Sequence, residues 1–119
     1  MDNKTIYALS TVFGKSGVAV FRISGERSLD VLKKLTDIDC NNIRPRYAYF
    51  SKLHGIDGMP LDHALVLYFK APGSFTGEDI VEIHSHGSKA VISSLSDNFS
   101  QIDGLRLAAP GELSKRALY

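Results

Sequence analysis

This sequence predicts an α+β domain, with a mixed and mostly antiparallel sheet of about five strands and two or three helices. Three observations lead there. Short runs rich in β-branched and aromatic residues recur along the chain, two apolar stretches follow a helical period, and two strands flank a glycine-containing turn as in a hairpin. "TIYALST" (5–11) reads as a first strand. "GVAVFRIS" (17–24) reads as a second, bounded by Gly17 and Gly25. "SLDVLKKL" (28–35) spaces Leu29, Val31, Leu32 and Leu35 as a helix does, with Ser28 as its expected N-cap.

"RPRYAYFSKLHG" (44–55) alternates around Tyr47, Tyr49 and Ser51, "GIDGMPLD" (55–62) is turn material, and "HALVLYF" (63–69) is an apolar strand, so the pair forms a hairpin. Pro72, Gly73 and Gly77 make "KAPGSFTGED" (70–79) a loop, and "IVEIHSH" (80–86) a strand after it. Gly87 and Ser88 lead into a helix whose Val91, Ile92, Leu95 and Phe99 are apolar at helical spacing. "LRLA" (105–108) is a short strand, and "PGELSKRALY" (110–119) begins a third helix that nothing ends, so the chain reads as part of something longer.

The 119 residues predict one domain, and a chain of this size buries roughly two-thirds of its unfolded surface. Fourteen Lys and Arg against thirteen Asp and Glu leave a net charge of +1, which provides no basic stripe for nucleic acid. Lys33, Lys34, Arg44 and Arg46 are a small cluster that reads as solvated surface. Cys40 is the only cysteine, so no internal disulfide forms and a reducing, cytosolic setting is expected. No apolar run approaches the roughly 18 residues a membrane span requires, and no signal-peptide pattern opens the chain.

"FGKSG" (13–17) is not a phosphate loop, because Leu9 stands where the first glycine belongs and a β-rich run follows in place of a helix. "GSFTGEDIVEIHSHGS" (73–88) is the richer stretch. Glu82, His84 and His86 alternate onto one strand face, and with His63 they would make a zinc half-site and a small metal-dependent hydrolase. Glu82 also interrupts an apolar strand, as Arg22 does in "VFRIS". A charge in such a strand needs a partner. The two form either a salt bridge within a structural dimerisation domain or the anionic and cationic anchors of a ligand cleft.

"GVAVFRISG" (17–25), "FKAPGSFTGEDIVEIHSHG" (69–87) and "GLRLAAPGELSKRAL" (104–118) together resemble three blocks of the N-terminal domain of the tRNA modification GTPases called MnmE or TrmE, over essentially the whole chain. The resemblance implies that residues 1–119 are a folate-binding and dimerisation domain with the aminomethyltransferase folate-binding fold. It implies a cytoplasmic homodimeric parent that acts with a flavin-dependent partner (MnmG/GidA) on C5 of the wobble uridine of tRNA. GTP, Mg and K would belong to a GTPase domain after residue 119, so this stretch alone should not hydrolyse GTP. 5-Formyl-tetrahydrofolate, or a related tetrahydrofolate, would be held by Arg22 and Glu82, set apart by the pteridine lying between them. A further family contact, a lysine, falls beyond Tyr119. No residue is expected to be catalytic; Glu78 and Asp79 shape the loop and a dimer-facing edge. "VFGKSG", "HSHGS" and Ala109 depart from the family pattern, with His84 in place of a usual glutamine and Ala109 in place of an arginine, departures that point to weaker folate binding.

Overall fold

In the computed structural model, which describes residues 4–12 and 17–118, nine elements follow one another in the order ββαβββαβα. They are β1 (Thr5–Val12), β2 (Val18–Ser24), α1 (Ser28–Leu35), β3 (Tyr49–His54), β4 (Pro60–Phe69), β5 (Ile80–His86), α2 (Lys89–Ser100), β6 (Leu105–Leu107) and α3 (Glu112–Leu118). Residues 13–16 of the rejected "FGKSG" loop lie outside the described residues. The strands form one sheet in the order β3-β4-β5-β2-β1-β6, six strands where about five were expected. Four of its five pairings are antiparallel, and only β1 with β6 is parallel.

Alternation along each strand decides where the core lies. Phe21 and Ile23 of β2 and Val81 and Ile83 of β5 face the buried side, where Val31, Leu32 and Leu35 of α1 and Leu95 and Phe99 of α2 close over them. Phe99 packs its ring against Tyr7 and Phe21, each at 5.2 Å between centroids, an aromatic cluster that joins α2 to β1 and β2. Trimming this core by one methylene is measurable. The Ile83→Val protein should lose about 1 kcal/mol of stability, read as a lower urea midpoint at unchanged slope.

Local chemistry moves three boundaries. Ser28 does not cap α1. It is the first helical residue, fully buried, and Arg27 stands at the cap position without a side-chain bond. The Gly25–Ser28 turn (Ser28 N–H to Gly25 O, 3.2 Å) starts the helix, and Thr5 Oγ1 of β1 accepts from the Arg27 amide at 2.9 Å. Gly25, at φ 137°, has no room for a side chain, since a Cβ there would lie 2.7 Å from the Thr5 Cα. The strand read from residue 44 begins only at Tyr49, because Arg46 takes a left-handed φ of 62° that breaks the extended run. The hairpin turn is shorter than expected. Gly55 N–H donates to Met59 O at 2.8 Å, so pairing resumes at Pro60. Among the described residues no helix is long and apolar enough to cross a membrane.

Candidate functional site

The site grows out of strand register. On the sheet face away from α1 and α2, Leu67, Glu82, Arg22 and Ala8 fall in one row across β4, β5, β2 and β1. Arg22 therefore stands directly opposite Glu82, and its Nε donates to Glu82 Oε2 at 2.9 Å. The other carboxylate oxygen, Oε1, lies 3.0 Å from His84 Nε2. Burial pushes the Glu82 carboxyl up, but hydrogen bonds from His84 and Arg22, with their charges, outweigh it and hold it below the usual carboxylate range. Glu82 is thus an ionised carboxylate at neutral pH, largely withdrawn from water.

The two expected anchors are brought together but not held apart. Arg22 and Glu82 clasp each other directly, and the picture of a ring system separating them does not describe this arrangement. The reason is the register itself, which sets the residues opposite one another on adjacent strands. A cleft of about 500 Å³ opens beside the pair. Its walls include Ala8, Ser10, Arg22, Phe75, Leu113 and Glu112. The Arg22 guanidinium carbon lies 5.7 Å from the Phe75 ring centroid, within cation–π range. Glu82 is not part of the cleft wall. Its carboxylate is bonded to the guanidinium that does line the cleft.

The histidines do not converge. His84 binds Glu82, His86 Nδ1 lies 2.7 Å from Asp62 Oδ1, and the His63 ring stacks on Phe50 with centroids 5.7 Å apart. Among the described residues no group of three or more His, Cys, Asp or Glu is placed to hold a metal ion. The hydrolase built on His63, His84 and His86 is therefore not favoured by the geometry.

Glu78 and Asp79 do shape the loop between β4 and β5. Asp79 Oδ1 accepts from Ala71 N–H at 2.8 Å, and its carbonyl from Gly25 N–H at 2.9 Å. Glu78 accepts from the Ser24 hydroxyl at 2.8 Å and pairs with Arg116 at 3.0 Å.

Arg116 belongs to a network that sequence reading missed. It reaches Lys4 O at 2.7 Å and Glu112 Oε2 at 3.5 Å, while Arg106 grips Glu112 with two nitrogens at 2.7 and 2.6 Å. Glu112 Oε1 also caps its own helix by accepting from Ala109 N–H at 2.9 Å. Hydrogen bonds from Arg106, above all, hold the Glu112 carboxyl at about 2. The one local signal for this network was the Glu112–Arg116 spacing, an i,i+4 pair at a helix start.

The family model described as GTP-binding protein TrmE N-terminus matches residues 5–119. A Rickettsia bellii (strain OSU 85-389) protein, "tRNA modification GTPase MnmE", is 55% identical over 115 residues, covering 96% of this chain and 25% of that relative. Proteins of the same name from Neorickettsia sennetsu and Rickettsia typhi are 53% and 51% identical, each over 96% of this chain and over 20% and 25% of their own lengths. The chain thus spans about a quarter or less of the relatives it matches.

Proposed function

Because this chain belongs to the TrmE N-terminal family, we propose that it is the folate-binding and self-pairing part of a cytoplasmic GTPase that modifies C5 of the wobble uridine of tRNA. In this reading residues 1–119 form one domain with the aminomethyltransferase folate-binding fold. GTP, Mg and K act outside it, and a flavin-dependent partner of the MnmG type works with the whole protein. The relatives are named tRNA modification GTPases, which supports the parent activity.

The observation that carries the folate reading is the Arg22–Glu82 pair beside the cleft faced by Phe75. A clasped guanidinium and carboxylate present a donor next to an acceptor. That edge is complementary to the lactam of a pterin, where a carbonyl adjoins an N–H. Each oxygen of Glu82 keeps a second lone pair beyond its bond to Arg22 or His84. The exposed Phe75 ring supplies an apolar surface for a flat ring system. Arg22 and Glu82 thus remain the ligand's anchors, acting as one unit and not as two opposed poles.

Calorimetric titration with 5-formyl-tetrahydrofolate tests the reading directly; absence of heat where a full-length relative binds would end it. Replacing Glu82 by glutamine should weaken binding by roughly 1.5–3 kcal/mol, the worth of a charge-assisted bond. Unchanged affinity in that protein would remove Glu82 from the site. Sedimentation of the chain measures self-pairing separately.

A further inference from the structure

His84 completes a line of three side chains, Arg22–Glu82–His84, in which each carboxylate oxygen is held by one nitrogen donor. A carboxylate only accepts, so the imidazole nitrogen facing it carries a hydrogen, and the neutral ring keeps Nδ1 as an acceptor. The His84 side chain is about a third exposed (29%), open enough to exchange a proton with water. We infer that His84 is a positioning residue for ligand capture: it fixes the Glu82 carboxylate for a lactam-bearing ring of the pterin class, and on gaining a proton it weakens that capture.

The sign follows from two opposing effects. A charged imidazolium draws more strongly on Oε1 and leaves Glu82 a poorer acceptor for the N–H of the ligand. The same charge attracts the anionic tail of a folate. That tail is separated from the pterin by a benzoyl spacer, and screening over about 8 Å leaves the local effect in control. Other groups face His84. Arg22 and Glu82 complete the line, Leu65 lies opposite on β4, His63 is two residues from Leu65 with Lys52 across from it on β3, and His86 is two residues along β5, tied to Asp62. His63 and His86 are further imidazoles on neighbouring positions, so a variant at position 84 must isolate the effect.

The inference rests on the folate reading, and the test separates the two. The native chain, His84→Gln and His84→Ala are titrated with 5-formyl-tetrahydrofolate, folding being verified by circular dichroism. The native chain should bind about tenfold more weakly at about pH 5.5 than at about pH 8. His84→Ala should be about tenfold weaker already at about pH 8, through loss of one donor. His84→Gln, whose amide can donate to Glu82 but not titrate, should recover most of that loss and bind equally at both pH values. An equal acid weakening in native and His84→Gln proteins overturns the inference, as does native affinity in His84→Ala. Failure of the native chain to bind at either pH instead removes the folate reading, and the role of His84 with it.

Discussion

Replacing Arg116 by leucine will lower the stability of the fold by about 3 kcal/mol, which for a domain of this size is a fall in Tm of roughly 10 °C. The Arg116 side chain is only 9% exposed and satisfies groups from four parts of the chain. It pairs with Glu78 in the loop before β5 and with Glu112 in its own helix, and it donates to the carbonyls of Ser24 and Lys4. Leucine would fill much of the same volume, so the loss measures charge and hydrogen bonds more than a cavity. Glu78 would keep its bond from Ser24, and Glu112 its grip by Arg106, so the damage stays below that of an entirely unpaired buried carboxylate.

The same substitution has a consequence for the cleft. Phe75 and α3 both line the cleft, and the Arg116–Glu78 pair ties α3 to the loop that carries Phe75. On the proposed folate reading, loss of the tie should weaken binding beyond what reduced stability explains, when affinity is measured well below the melting range. Thermal denaturation and calorimetry on one preparation check both halves. A Tm within a degree or two of native would show that the network is dispensable.

Strand alternation made the faces of this fold legible. In "VFRIS" and "IVEIH" a charge alternates with buried residues, and the structure puts Phe21, Ile23, Val81 and Ile83 in the core with Arg22 and Glu82 on the other side. The neighbours across that face were not legible. β5 pairs with β2, 60 residues away at the Arg22–Glu82 step, because the β3–β4 hairpin is laid at the sheet edge and not inserted between them. Alternation names a face and is silent about register with a distant strand, which is why a salt bridge stayed only one of two open readings of Arg22 and Glu82. The histidines show the same limit from the other side. His84 and His86 share a face as their spacing requires, but each meets a different carboxylate.

Arg116 was further out of reach. Its contacts with Glu78 and Lys4 span 38 and 112 residues, and in a short terminal helix an arginine reads as surface. Left-handed backbone at Arg46 carries no residue signal either, since glycine and asparagine are the types that mark such turns.

Acid will dismantle the same network in a defined window. The Glu112 carboxyl sits at about 2 in the folded chain against 4.5 for the free group. A depressed folded value means that the carboxylate stabilises the fold fully above about 4.5. That contribution shrinks as pH falls and is gone below about 2, a total of roughly 3 kcal/mol. The Glu112 side chain is only 7% exposed, but its main partner Arg106 is 30% exposed, so solvent screening takes part of that figure. Glu82 and Asp62 are also lowered and act with the same sign, so the native slope exceeds what Glu112 supplies alone. The Glu112→Gln protein isolates its share. A neutral amide can still accept from Ala109 N–H, but it cannot bind two guanidinium groups as a charge does. Its stability near neutral pH should therefore be lower, and its decline between about pH 5 and about pH 2 shallower than native. Urea denaturation at a series of pH values reads both, and parallel declines in the two proteins would assign the acid sensitivity to other carboxylates.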